Sequence, residues 1–142
     1  MGDPKRYARR VSGPLLDRID LRVVMPRLPA DELVSTAEGE PSRAAAARIH
    51  AAWARATRRN GGLPNGTLSG RRVVAACQLE AVARRSVTEI EGAQQLTARG
   101  IHRLLSVART VADLEAREQV GREHILAAAG LRERILDAEV AA

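Results

Sequence analysis

Arginine supplies nearly all the positive charge of this chain, a charge that could attract phosphate groups, and four of its arginines have neighbours that define their setting: Arg18, Arg99, Arg103 and Arg109. Arginine suits that chemistry because its charge is permanent and its planar fork matches phosphate oxygens. Arg99 lies two residues after Thr97, in the first turn of an expected helix, where the dipole slightly disfavours a cation. Arg103 follows one turn later on the same face, where it either adds to a phosphate-facing potential or is simply solvated. Arg109 stands four residues before Asp113, a spacing that allows a pair within one helix and favours a structural or domain-to-domain role over direct contact with a ligand. Arg18 comes after the turn at Gly13-Pro14, which fixes its direction; its plainer reading is an ion pair with Asp17 or Asp20. No metal site is expected. His50, His102 and His124 have neither mutual spacing nor an acidic partner set for one, and Cys77 stands alone in an apolar run that reads as buried.

The elements that position these residues follow from periodicity. Ile19, Leu21, Val23 and Met25 alternate and end at Pro26, the pattern of a strand, but no second strand in the chain could pair with it. Residues 27–42, with two prolines, a glycine and scattered acids, read as a linker with one helical turn near Asp31–Thr36. Ser42 is placed to cap a helix from Arg43 to about Arg59, with Ala45, Ile49, Ala52, Trp53 and Ala56 on its apolar stripe and Arg48, Arg55 and Arg59 off it. Trp53 is then the bundle's one large core side chain, although a partly exposed position stays open.

After the breaker loop Asn60–Gly66, Ser69 is expected to cap a short helix through Ala76, and Leu79, Ala83, Val87 and Ile90 mark another ending near Gly92. Thr97 caps the strongest helix, with Ile101, Leu104, Leu105, Ala108, Val111 and Ala112 as its buried stripe. A last helix is expected over 121–138, carrying Ile125, Ala128, Ala129, Leu131 and Ile135. The fold class is mostly α: a small bundle of four or five helices preceded by an orphan strand, with little aromatic content and Ala, Val, Leu and Ile filling the core.

The 142 residues carry a net charge of +6, nearly all of it from arginine. That charge keeps one alternative open, a stand-alone basic helical module that binds DNA. No stretch approaches about 20 apolar residues and no signal-peptide pattern opens the chain, so a soluble, cytoplasmic protein without membrane partners is expected. A phosphate loop of the form G-x-x-x-x-G-K-[ST] is missing from the sequence, as is a strand ending in an acidic pair to hold magnesium. ATP hydrolysis by this sequence alone is therefore not expected.

Two runs are recognisable. Arg6-Tyr7-Ala8-Arg9-Arg10-Val11-Ser12-Gly13-Pro14-Leu15-Leu16-Asp17-Arg18-Ile19-Asp20-Leu21 and Leu96-Thr97-Ala98-Arg99-Gly100-Ile101-His102-Arg103-Leu104-Leu105-Ser106-Val107-Ala108-Arg109-Thr110-Val111-Ala112-Asp113-Leu114 together resemble the C-terminal part of the magnesium-chelatase-like AAA+ ATPases of the ComM/YifB family. The resemblance covers about residues 6–136. It implies that residues 1–42 are the tail of an ATPase core, poorly ordered on their own, and that 43–142 form the helical lid.

The resemblance further implies an intact protein that uses ATP and Mg2+, with no cofactor bound by this fragment alone. Arg99 would be the lid sensor for the ATP phosphate, Arg103 and Arg109 weaker candidates for that contact, and Arg18 the arginine finger acting in trans. The implied partners are the upstream core and the neighbouring subunits of a ring, a hexamer in ComM-like members, where the motor drives DNA branch migration in transformation. A magnesium chelatase subunit is the alternative within the same resemblance.

Overall fold

A computed structural model describes residues 18–132 apart from 24, 26 and 36–38. The described residues form six helices: α1 Ala30–Leu33, α2 Ser42–Arg59, α3 Gly70–Cys77, α4 Ala81–Gln94, α5 Ala98–Leu114 and α6 Arg122–Gly130, with a 3-10 turn at Asn65–Thr67 between α2 and α3. The bundle proper is α2–α6, and α1 is the single turn expected near Asp31. Residues 1–17, and Ile135 with the rest of the expected last helix beyond 132, lie outside the described residues.

Helix α5 is the hub, packing against α6, α3, α2 and the 3-10 turn, while α4 lies on α6. Its buried face is Leu104, Leu105, Ala108 and Ala112, with Ile101 and Val111 half-buried at the edges of the stripe. Around it gather Leu68, Val73, Cys77, Ala83, Val120, Ile125, Ala128 and Ala129. Small residues dominate, so helices approach closely and the core closes without a large aromatic ring. Two backbone bonds tie the connections together: Val120 N–H to the Cys77 carbonyl at 3.0 Å and Glu80 N–H to the Val120 carbonyl at 3.2 Å. Cys77 is fully buried, and burial pushes its thiol up to about 11.

Helix ends follow local chemistry. The Thr97 hydroxyl accepts from the Gly100 N–H at 3.1 Å and caps α5 as expected. Ser42 is not a cap. Pro41 holds the N-cap position in extended conformation, and Ser42 is the first helical residue. Ser69 does precede α3, but its side chain makes no capping bond. At the far end of α2, Gly61 adopts φ +67° and Gly62 N–H reaches the Thr57 carbonyl at 2.8 Å, the six-to-one bond of a Schellman stop. The end of α5 repeats this with a non-glycine: Ala116 sits at φ +58° and Arg117 N–H meets the Ala112 carbonyl at 2.8 Å.

Two expectations shift. The described part of 19–25 forms no strand and meets no partner strand among the described residues; its Arg22 N–H is satisfied instead by the Leu131 carbonyl at 2.7 Å, just past α6. The stripe of α2 is also rotated. Ala52 and Ala56 are buried, but Ile49 and Trp53 are 56% and 57% exposed, and Arg55 and Arg59 reach over the seam with α5. Positions 52, 55, 56 and 59 form one helical face, so the small alanines bring α2 close and the arginines span to α5.

Candidate functional site

The two ends of α5 carry the groups with chemistry. At its N-terminal end, Arg99 is exposed and makes no side-chain hydrogen bond or ion pair with any described residue. Arg103, one turn on, is half-buried. Its Nη1 donates to the Arg18 carbonyl at 3.0 Å and also to the Asp20 carboxylate. Asp20 lies 3.9 Å from Arg132 Nη1 as well. The Arg18 side chain is exposed and has no partner among the described residues. Asp20, expected as an alternative partner of Arg18, pairs with Arg103.

At the other end, about 15 Å along the axis, Arg109 has no exposed surface. Its Nη1 donates to the Glu118 carbonyl at 2.6 Å, its Nη2 to the Arg117 carbonyl, and Nη2 lies 3.1 Å from Asp113 Oδ1. These bonds hold the turn that leaves α5. The expected Arg109–Asp113 pair is thus present, and its guanidinium is engaged within the fold.

Asp113 is the centre of a larger network that the sequence reading missed. Arg59 clamps it with two parallel bonds, Nη1 to Oδ1 at 2.7 Å and Nη2 to Oδ2 at 2.8 Å. Asn65 Nδ2 adds a bond to Oδ2 at 2.8 Å, and Arg55 Nη1 donates to the Asp113 backbone carbonyl at 3.0 Å. Asn65 is itself saturated. Its Nδ2 also donates to Thr110 Oγ1 at 3.2 Å, its Oδ1 accepts from Arg59 at 2.8 Å and Asn60 at 3.0 Å, and its backbone carbonyl accepts from Ser106. Burial alone would raise the Asp113 carboxyl, but the bonds from Arg59 and Asn65 and the charges of Arg109 and Arg59 outweigh it and hold it below the usual carboxylate range.

The histidines divide similarly. His50 is exposed, His102 half-buried and His124 buried. His124 Nδ1 accepts from the Gly121 N–H at 2.8 Å, so Nε2 is left to face Glu115 Oε2 at 3.1 Å; the ring works as a helix-start cap. No group of three or more His, Cys, Asp or Glu side chains among the described residues could hold a metal ion. No helix there is long and apolar enough to cross a membrane.

Comparison with known proteins gives this arrangement a family. The profile described as magnesium chelatase, subunit ChlI C-terminal, matches residues 39–132, which includes all of α2–α6. The chain belongs to this family. A second profile, magnesium chelatase, subunit ChlI, matches residues 2–33. Among similar proteins, YifB of Salmonella typhimurium is 38% identical over 129 residues and competence protein ComM of Haemophilus influenzae 32% over 128, each alignment covering 89% of this chain. An uncharacterized Mycobacterium tuberculosis protein is 34% identical over 132 residues, 91% of this chain. The magnesium chelatase-like chain spans about a quarter of the length of these curated relatives, 25–26%.

Proposed function

We propose that this chain is the C-terminal, nucleotide-sensing lid of a ring-forming AAA+ ATPase. The observation that carries the reading is Arg99: a permanent cation, exposed and without a partner among the described residues, at the start of the hub helix. The N–H groups of a first helical turn and the positive end of the dipole favour an anion there, and a guanidinium beside them fits a phosphate oxygen. In the intact protein ATP and Mg2+ would bind with the upstream core. ATP supplies the transferable phosphoryl group, and the metal neutralises charge that develops on it.

The part played by this chain's residues is narrower. Arg99 would place positive charge on the γ-phosphate of its own subunit, and motion of α5 would report loss of that phosphate to the bundle. Arg18, whose side chain is exposed, would reach the nucleotide of the neighbouring subunit as an arginine finger. Arg109, enclosed by Asp113 and the Arg117 and Glu118 carbonyls, holds the fold. By the family resemblance the intact protein would be a cytoplasmic, hexameric motor that drives DNA branch migration during transformation, and similarity to a protein named for competence supports the link to transformation.

The test is ATP turnover by the intact protein. Arg99→Ala is expected to lower it at least about 10-fold, equivalent to about 1.4 kcal/mol of transition-state stabilisation. Arg18→Ala should lower it too, and mixing the two variant subunits should restore part of the rate, because each supplies what the other lacks. Unchanged turnover in Arg99→Ala would overturn the sensing role.

A further inference from the structure

We propose that the outer face of α2 and α3 is an interaction surface for the phosphate backbone of a nucleic acid, bound without regard to base sequence. The positive charge of the chain is not spread evenly. Residues 41–79, which include α2, the 3-10 turn and α3, contain seven arginines and no acidic residue, whereas residues 80–132 contain eight arginines and seven acids. Acids from elsewhere cancel only two of the seven: Arg48 pairs with Glu40, and Arg59 with Asp113. Arg55 gives its bond to a backbone carbonyl. Arg43, Arg58, Arg71 and Arg72 are exposed and have no hydrogen-bond or ion-pair partner among the described residues. Like charges gathered on one surface repel and do nothing for the fold, but they raise the local potential for a polyanion.

The arginines extend over a length that suits such a ligand. Arg43 and Arg58 stand about 22 Å apart along the α2 axis, the rise of about six phosphates on one strand of a duplex. At the end of α2 a hollow of about 320 Å³ continues toward α3; Arg59, Asn60, Arg72 and Gln78 are its polar lining, and none of its lining residues is acidic. The Arg72 and Gln78 side chains are exposed and without a partner among the described residues, so a phosphate oxygen there meets a guanidinium and an amide donor with no competing carboxylate. A protein partner fits this face less well. Protein interfaces have an apolar centre depleted of charge, and the exposed apolar residues of α2, Ile49 and Trp53, lie across the Ala52–Ala56 seam from Arg55 and Arg59. Guanidinium–phosphate bonds set affinity and position but carry no base information. The inference is independent of the roles given to Arg99 and Arg18, which lie outside residues 41–79.

The experiment titrates the intact protein, without ATP, against a labelled single strand and a labelled duplex of about 20 nucleotides each, from about 50 to 200 mM salt. The variant Arg58→Gln/Arg71→Gln/Arg72→Gln should bind at least about 10-fold more weakly, and its slope of log affinity against log salt should be shallower by about 2–3. A loss on the single strand alone, or on the duplex alone, supports the surface and says which backbone it follows. The control Arg84→Gln/Arg85→Gln/Arg122→Gln removes the same charge from exposed positions on α4 and α6 and should change the slope by less than about 1. Melting temperatures verify folding, and Arg43→Gln/Arg58→Gln, confined to α2, should give an intermediate loss if the triple variant melts early. An unchanged slope in the α2–α3 variants overturns the proposal, and so does an equal loss in the control, which would make net charge the cause. Unchanged nucleic-acid binding with weakened subunit assembly also overturns it, assigning the face to an acidic protein neighbour instead.

Discussion

The two ends of α5 use the same residue type in opposite ways. At the C-terminal end, Arg59 and Arg109 converge on Asp113, which takes two bonds from Arg59 and one from Asn65 and is 2% exposed. At the N-terminal end, Arg99 is exposed with no described partner. A guanidinium whose donors are engaged by a buried carboxylate and backbone carbonyls maintains the fold; one left to solvent against a helix dipole does nothing for stability and is available to a ligand. Arginine-rich composition alone hides this division, and geometry exposes it.

The largest break in the comparison is at its closed end. Asp113→Ala leaves Arg59 and Arg109 without their carboxylate, and removal of one partner from a buried network costs about 3–5 kcal/mol. A denaturant melt should show that loss; a cost below about 1 kcal/mol would mean the network is not a keystone. Acid acts on the same group. The folded-state carboxyl of Asp113 is depressed, so its contribution is complete above the unfolded value near ~3.9 and is lost as pH falls through the lower folded value. Stability followed from pH 5 downward should therefore fall less steeply in Asp113→Asn than in the wild type; equal slopes would remove Asp113 from the acid response.

A smaller effect sharpens the same end. Ala116 occupies the left-handed position that Gly61 fills at the end of α2. Ala116→Gly should add about 0.5–1 kcal/mol by relieving that conformation, despite glycine's entropy cost in the unfolded chain. A lower melting temperature would show that the α5 stop is held by the Arg109 bonds to Arg117 and Glu118 rather than limited by backbone strain.

What the sequence made legible was mostly local. The Thr97 cap, the stripe through Leu104, Leu105, Ala108 and Ala112, and the Arg109–Asp113 pair all lie within one helix, where spacing dictates neighbours. The rest of the network was not legible, because Arg59 and Asn65 lie 54 and 48 residues from Asp113 and meet it only after α2 and the 3-10 turn pack on α5. Trp53 shows the other failure. Its size argued for the core, but the seam is set by Ala52 and Ala56, whose small side chains let α5 approach, and the ring falls outside it. The exposed Arg99 was legible through the Thr97 cap and the resemblance; its lack of a partner needed the structure.

The most direct measurement crosses the two ends: melting temperature and ATP turnover of the intact protein, for Arg99→Ala and Arg59→Ala side by side. Arg99→Ala should leave stability within about 0.5 kcal/mol of the wild type while turnover falls at least about 10-fold, and Arg59→Ala should lower the melting temperature markedly. A stable Arg99→Ala protein with unchanged turnover would contradict the account, returning Arg99 to the solvated surface and leaving α5 a structural hub alone.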